Sequence, residues 1–342
     1  MIHQIINRYK QLRTNFFLSQ KYRHNYAFIG LGQHSLSNLY PVLQYLQLPL
    51  KYICVSSQRK ADLIQEKYHS IKATTHIDDI LGDKSIKGVF VSTSPTAHFK
   101  IATQILQSNK ALFIEKPPCQ SLNHLHTLID LQRVYNNTIV VGLQKRYAPA
   151  IQILKKRLNK DTIISYNLRY LTGAYPEGNT LIDLFIHPLD IAIFLFGEAK
   201  IIACEKFSNN SYLLFLKHRN VIGNLELSTN YSWNNAQESI SICSKSGIYE
   251  LSQMDSLTYT PLQRPLFNIP FEKVWKKNKT TEYLYSNTNL SPILVNNQIY
   301  SQGFYNEITT FINDVENNTD NSQSTLDNLI STYNLITEIQ NK

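Results

Sequence analysis

The chain has 342 residues, 43% of them hydrophobic, which is enough for two cores of ordinary domain size. No apolar run approaches the length of a membrane span, and residues 1–25 lack the apolar stretch and small-residue cleavage site of a secretory signal, so neither a spanning nor an exported protein is expected. The formal net charge of +9 comes from one end: eight Lys and Arg residues precede the first acid, Asp62, and the remainder is close to neutral.

Four cysteines, Cys54, Cys119, Cys204 and Cys243, are scattered without metal-ligand spacing. They read as reduced and structural, which suggests a cytoplasmic location and no bound metal. In residues 1–25, Ile2, Ile5, Ile6, Tyr9, Leu12 and Phe16 recur at helical spacing among Arg8, Lys10, Arg13, Lys21 and Arg23. This predicts a basic amphipathic helix ahead of the first domain, packed on its own chain or on a neighbouring subunit. A mitochondrial presequence shares the pattern. No nucleic-acid motif accompanies it, so neither nucleic acid nor a membrane is expected as a partner.

From 26 to 143 short apolar runs alternate with helical stretches, the pattern of a doubly wound parallel sheet. Strands are predicted at 26–29, 50–55, 88–92, 111–114 and 138–141, with a weaker one at 71–73. Helices are predicted at 35–46, 59–69, 96–108 and 121–135.

The first strand runs into Gly30-Leu31-Gly32-Gln33-His34-Ser35, which opens a helix. Two glycines permit a tight turn and let a pyrophosphate approach the unpaired N–H groups of the helix start. Ser35 stands where a third glycine would pack helix on strand. An acid at the end of the second strand would bind the ribose 2′-OH of NAD, but Ser56, Ser57, Arg59 and Lys60 occupy that place. Hydroxyls and cations there suit a 2′-phosphate, so NADP(H) is expected before NAD(H), although the same residues also make an ordinary capped helix start. The fourth strand ends at Thr93-Ser94-Pro95, at the sheet edge where ligands bind, with His98 one turn into the next helix. Thr93, Ser94 and His98 are assigned to the cofactor side, although a histidine placed like His98 is more often a packing residue than a catalyst.

The fifth strand ends at Glu115-Lys116-Pro117-Pro118. Proline donates no ladder hydrogen bond and pushes its predecessor to an extended conformation, so the strand stops with Lys116 at the ligand-binding edge. Glu115 and Lys116 are therefore placed beside the cofactor, and Lys116 also among the reacting groups.

After Gln144 the texture changes to strands at 162–170, 200–207, 212–217, 221–230, 239–243 and 247–251, a largely antiparallel sheet. An apolar helix at 182–196 is set among them. Helices follow at 303–316 and 325–340, joined by the polar loop 317–324. Asp183 and His187 are four apart in the apolar helix, on one face if it is regular, so the carboxylate would hold the imidazole as a general acid and base. Pro188 bends that helix or starts it at His187. A buried structural Asp–His pair fits the same spacing. His124 and His126 are two apart on a helix and cannot share a metal.

With these motifs in order, the chain resembles the glucose–fructose oxidoreductase/inositol dehydrogenase (Gfo/Idh/MocA) family. Glu115-Lys116-Pro117 and Asp183-x-x-x-His187 carry the likeness most specifically, joined by the segment Gly142-Leu143-Gln144-Lys145-Arg146-Tyr147-Ala148-Pro149 and by Gly303-Phe304-Tyr305-Asn306-Glu307. The resemblance implies an α/β protein: a Rossmann domain (26–143), an α/β domain with a large, mainly antiparallel open sheet (144–302) and closing helices (303–342), after the basic extension 1–25. It implies Lys116, Asp183 and His187 around a nicotinamide, a small polar substrate such as a sugar or cyclitol, and a homo-oligomer formed through the open sheet. The same motifs would serve an imine-type C=N reductase or a non-catalytic dinucleotide-binding regulator or assembly subunit. Ser35 and the missing acid after the second strand depart from the family pattern, as does Gly178-Asn179, where more glycine is usual.

Overall fold

A computed structural model describes residues 2–18, 22–176, 178–262, 269, 280–287 and 298–342. Six short runs rich in Ile, Val and Phe build a parallel sheet: β1 (Asn25–Ile29), β2 (Leu50–Cys54), β3 (Lys72–Thr74), β4 (Ile86–Val91), β5 (Ala111–Glu115) and β6 (Ile139–Gly142). Their order is β3-β2-β1-β4-β5-β6, so the winding reverses between β1 and β4 and leaves a crevice at their carboxyl ends. The weakly predicted strand near 71–73 is a real edge strand, paired from Tyr52↔Lys72 to Cys54↔Thr74.

Local signals fix the helices between these strands. In Leu122–Tyr135, Ser121 Oγ accepts the His124 N–H at 3.3 Å and Asn136 closes the far end in the left-handed region. His124 stacks on Phe99 with ring centroids 3.9 Å apart, a packing role. One sheet face carries an aromatic cluster in which Phe90 meets Phe28, Phe113 and Phe311 at centroid distances of 6.1, 5.3 and 5.1 Å. Phe311 belongs to the helix Phe304–Asn317, so this layer of the first domain is completed from near the carboxyl end. Each fully buried ring contributes roughly 1.5–3 kcal/mol.

The second sheet has eight strands: β7 (Ile163–Leu171), β8 (Lys200–Ser208), β9 (Ser211–Lys217), β10 (Ile222–Ser228), β11 (Gln237–Ser244), β12 (Gly247–Ser252), β13 (Ser256–Pro261) and β14 (Glu282–Ser286). Its order is β14-β13-β12-β11-β7-β10-β9-β8. All neighbours are antiparallel except β7 and β10. Near the start of that pairing Gly223 lies opposite Tyr166, and a Cβ there would fall 2.0 Å from the ring. The ring is locked by stacking on Phe196 at 4.1 Å and by a 2.8 Å hydrogen bond between its hydroxyl and His218 Nε2. One face, with Leu168, Leu214, Leu225 and Ile240, is buried. The other exposes Phe215 and Ile222, with Arg169 paired to Glu226 across β7 and β10.

Three sequence expectations change. β13, β14 and the helix Pro149–Leu158 were not foreseen. The apolar helix is two helices, Thr180–Asp183 and Ile186–Phe196, because Pro188 has no N–H to give to the Leu184 carbonyl. The helix Ile2–Leu18 forms, but every side chain from Ile2 to Asn15 is exposed rather than packed on its own chain. Lys21 and the Phe16 side chain lie outside the described residues. No described helix is long and apolar enough to cross a membrane.

Candidate active site

The carboxyl ends of β1, β2 and β4 open onto a cavity of about 690 Å³. Gly30 turns the chain at φ +86°, and a Cβ on it would fall 2.4 Å from the Ser92 carbonyl oxygen, so only glycine fits. A Cβ on Gly32 would meet nothing within 4 Å, which leaves its side open to the cavity. Ser35 takes the third glycine's place at no steric cost. Its Oγ lies 2.9 Å from Ser92 Oγ and 3.2 Å from the Gly30 carbonyl, tying the turn to the end of β4.

Gln33, His34 and Ser35 line this cavity, as do Thr93 and Ser94. Ser56 and Lys60 line its far end, whereas Ser57 and Arg59 are exposed and stand outside the lining. Ser57 is instead the residue before the helix Gln58–Lys67, in extended backbone. Lys100 and Gln104, missed in the sequence, also line the cavity. Their signal was the helical spacing from Ala97 along Pro95–Gln107.

His98 is buried away from the cavity. Its Nδ1 lies 2.7 Å from the Pro117 carbonyl and its Nε2 3.1 Å from the Thr93 carbonyl, so it clamps the β4 and β5 loops together. Burial pushes its pKa down against the help of those carbonyls.

The β5 edge carries the charged groups, and the Lys116–Pro117 peptide bond is cis. Glu115 is buried, with Oε1 3.4 Å from Nε2 of His34. Burial pushes its carboxyl up, but the adjacent His34 ring and the neighbouring Lys116 charge outweigh it, so the pKa falls below the ordinary value. His34 moves the other way: burial lowers its pKa, Glu115 more than restores it, and the net shift is upward. His34 thus joins the cavity to the strand end. Lys116, half-buried, donates from Nζ to the Asp183 backbone carbonyl at 2.6 Å. Burial lowers its pKa, aided by Lys145 and opposed by Glu115 and Asp183.

Asp183 does not orient His187. Its carboxylate accepts the Asn179 N–H at 2.8 Å and Gln120 Nε2 at 3.4 Å, and the break before Ile186 takes it off the His187 face. His187 is buried, and its ring makes no hydrogen bond among the described residues. Its pKa lies well below the ordinary value, first through burial and then through the charges of Lys116, Lys145 and His34. The imidazole is therefore neutral near pH 7 and surrounded by cations.

Lys145 is a further group that sequence reasoning missed, this one beside His187. It sits in the turn Gln144–Tyr147 after β6, buried, ion-paired with Glu238 of β11, its Nζ 4.7 Å above the Tyr170 ring. Burial lowers its pKa, but Glu238 and the Tyr170 side chain raise it further, so it stays charged. The cation pair Lys145-Arg146 just after an apolar strand was the available signal. Among the described residues no group of three His, Cys, Asp or Glu could hold a metal ion.

Residues 24–143 match the model of the oxidoreductase family with an NAD-binding Rossmann fold, GFO_IDH_MocA. Over these residues the chain is similar to the Gfo/Idh/MocA oxidoreductases. Among curated proteins similar to it, the inositol 2-dehydrogenase of Salmonella typhimurium is 25% identical over 43% of this chain and 46% of its own length. The matches span about half, or less, of the length of the curated relatives. In fold, levoglucosan dehydrogenase in complex with NADH and L-sorbose superposes with a TM-score of 0.78 at 16% identity, over 94% of this chain and 96% of that one. A variant of a 3-ketoreductase from Actinomadura kijaniata, in complex with TDP-benzene and NADP, gives 0.73 at 12% identity over 93% and 97%. Both sheets thus share the fold of these solved structures.

Proposed function

We propose that the chain is an NADP(H)-dependent oxidoreductase moving a hydride to or from a hydroxyl or carbonyl carbon of a sugar, cyclitol or related polar metabolite. The observation that carries this reading is the grouping of Lys116, His187 and Lys145 from three separate segments at the sheet edge beside the glycine-turn cavity. The cavity's open Gly32 side fits a pyrophosphate, and Ser56 and Lys60 at its far end fit a ribose phosphate. A nicotinamide dinucleotide bound there would supply or accept the hydride.

The protein's own groups would manage charge and proton. Lys116, held by the Asp183 carbonyl, would donate to the reacting oxygen and stabilise negative charge as it develops. Neutral His187 would take the hydroxyl proton in oxidation, and the nearby cations would make it release that proton readily. Asp183 would act through position: its carboxylate fixes the Asn179 turn while its carbonyl aims Lys116. We further assign the exposed face of the eight-stranded sheet, with Phe215 and Ile222, to a homo-oligomer contact, and a cytoplasmic location.

The test is a screen of polyols, cyclitols and sugars with NADP and NAD. Lys116→Ala is expected to lower kcat by ~100-fold while cofactor affinity stays within a few-fold. Turnover close to wild type in that variant would remove Lys116 from the mechanism.

A further inference from the structure

The helix Ile2–Leu18 takes no part in the site, yet it leaves an apolar stripe exposed. Ile2, Ile5, Tyr9 and Leu12 are each more than half exposed, with relative accessibilities of 75%, 64%, 64% and 62%, and Ile6 extends the same stripe. At about 100° per residue these five side chains share one face, and Arg8 and Lys10 fall about 100° to either side of its centre. Arg13 lies inside the stripe, between Tyr9 and Ile6, where its long stem carries the charge outward. None of the three cations has an ion pair among the described residues, and the sequence offers no acid before Asp62.

Charge decides what this face fits. Ile2, Ile5, Tyr9 and Leu12 occupy heptad positions a and d, as a paired helix would require. In a parallel pair, however, Arg8 would face Arg13 of the second copy across g and e, and an antiparallel pair brings no acid to either cation. A second copy is therefore repelled where it should be held. An anionic surface that also accepts apolar side chains satisfies both features: the stripe enters the acyl boundary while the flanking cations meet headgroup phosphates.

We propose that this helix docks the protein on anionic phospholipid bilayers, lying in the interface without crossing it. This revises the expectation that membranes play no part, and it is independent of the reaction assigned to the Lys116 site.

The experiment is co-sedimentation of the full chain with vesicles of phosphatidylcholine alone or with about a third phosphatidylglycerol. The wild type is expected to partition at least ~10-fold more strongly onto the anionic vesicles, and less at high salt. Replacing Arg8, Lys10 and Arg13 together by Gln should weaken binding by on the order of a hundredfold. The double variant Ile5→Asp and Tyr9→Asp should abolish it, and both variants should keep wild-type cofactor affinity. Absence of binding to anionic vesicles overturns the proposal. So does binding that survives the double variant, since the apolar stripe is then idle. Light scattering tests the rival contact: if the double variant converts an oligomer to a smaller species, the helix joins subunits and the proposal falls.

Discussion

Glu307, in the first turn of the helix Phe304–Asn317, is fully buried, and neither carboxyl oxygen has a well-formed hydrogen-bond partner among the described residues. Burial first, then the nearby Glu115 and Asp190, drive its pKa well above the ordinary value, with Arg146 and the Leu143 backbone opposing. A raised folded pKa gives stability that is complete below the unfolded pKa and is lost as pH rises towards the folded value. Glu307→Gln keeps the shape and removes the titration. Its melting temperature should therefore gain on wild type steadily from about pH 5 to about pH 8, and a constant difference would contradict the buried-acid reading. His187 has the opposite sign. Its depressed pKa contributes stability above the unfolded value near 6.5, lost as pH falls towards the folded value. Thermal melts from about pH 7 to about pH 5 should decline less steeply in His187→Asn than in wild type. At this scale the sequence revealed residues whose neighbours along the chain explain them: the glycine turn, and Lys116 stopped by Pro117. It concealed Lys145, because the carboxylate that keeps it charged, Glu238, lies 93 residues away.

Among elements, the first domain was legible almost strand by strand, since each buried parallel strand is a short apolar run bounded by turn residues. The second was less so. β13 and β14 mix Thr, Ser, Tyr and Glu without clean alternation, and β7 and β10 pair in parallel although no local pattern marks it. The relation of Asp183 to His187 failed for a local reason: Pro188 interrupts the helix that would have put them on one face. Packing between strands gives a direct test at Gly223. Gly223→Ala would put a methyl into the Tyr166 ring, itself wedged between Phe196 and His218, and should cost about 1–3 kcal/mol in urea unfolding. A loss below a few tenths would mean that the ring moves freely.

For the whole molecule, the decisive joint is the buried ion pair between Arg146, just after β6, and Asp190 in the helix Ile186–Phe196. Thr332, in the helix Ile330–Gln340, bonds the same carboxylate at 3.1 Å, and Arg146 also donates to the carbonyls of Gln323 and Asn328. Three distant segments meet on one guanidinium. Arg146→Met strands Asp190 without its partner and should lower unfolding free energy by about 3–5 kcal/mol, measured by urea denaturation with and without cofactor. The aromatic layer over the parallel sheet has the same long reach, because Phe311 is supplied by the helix Phe304–Asn317. On a ribosome, then, the strands that emerge first cannot finish their own core. They must wait, one face uncovered, until nearly the whole chain has been translated, so the nucleotide domain begins first and matures last.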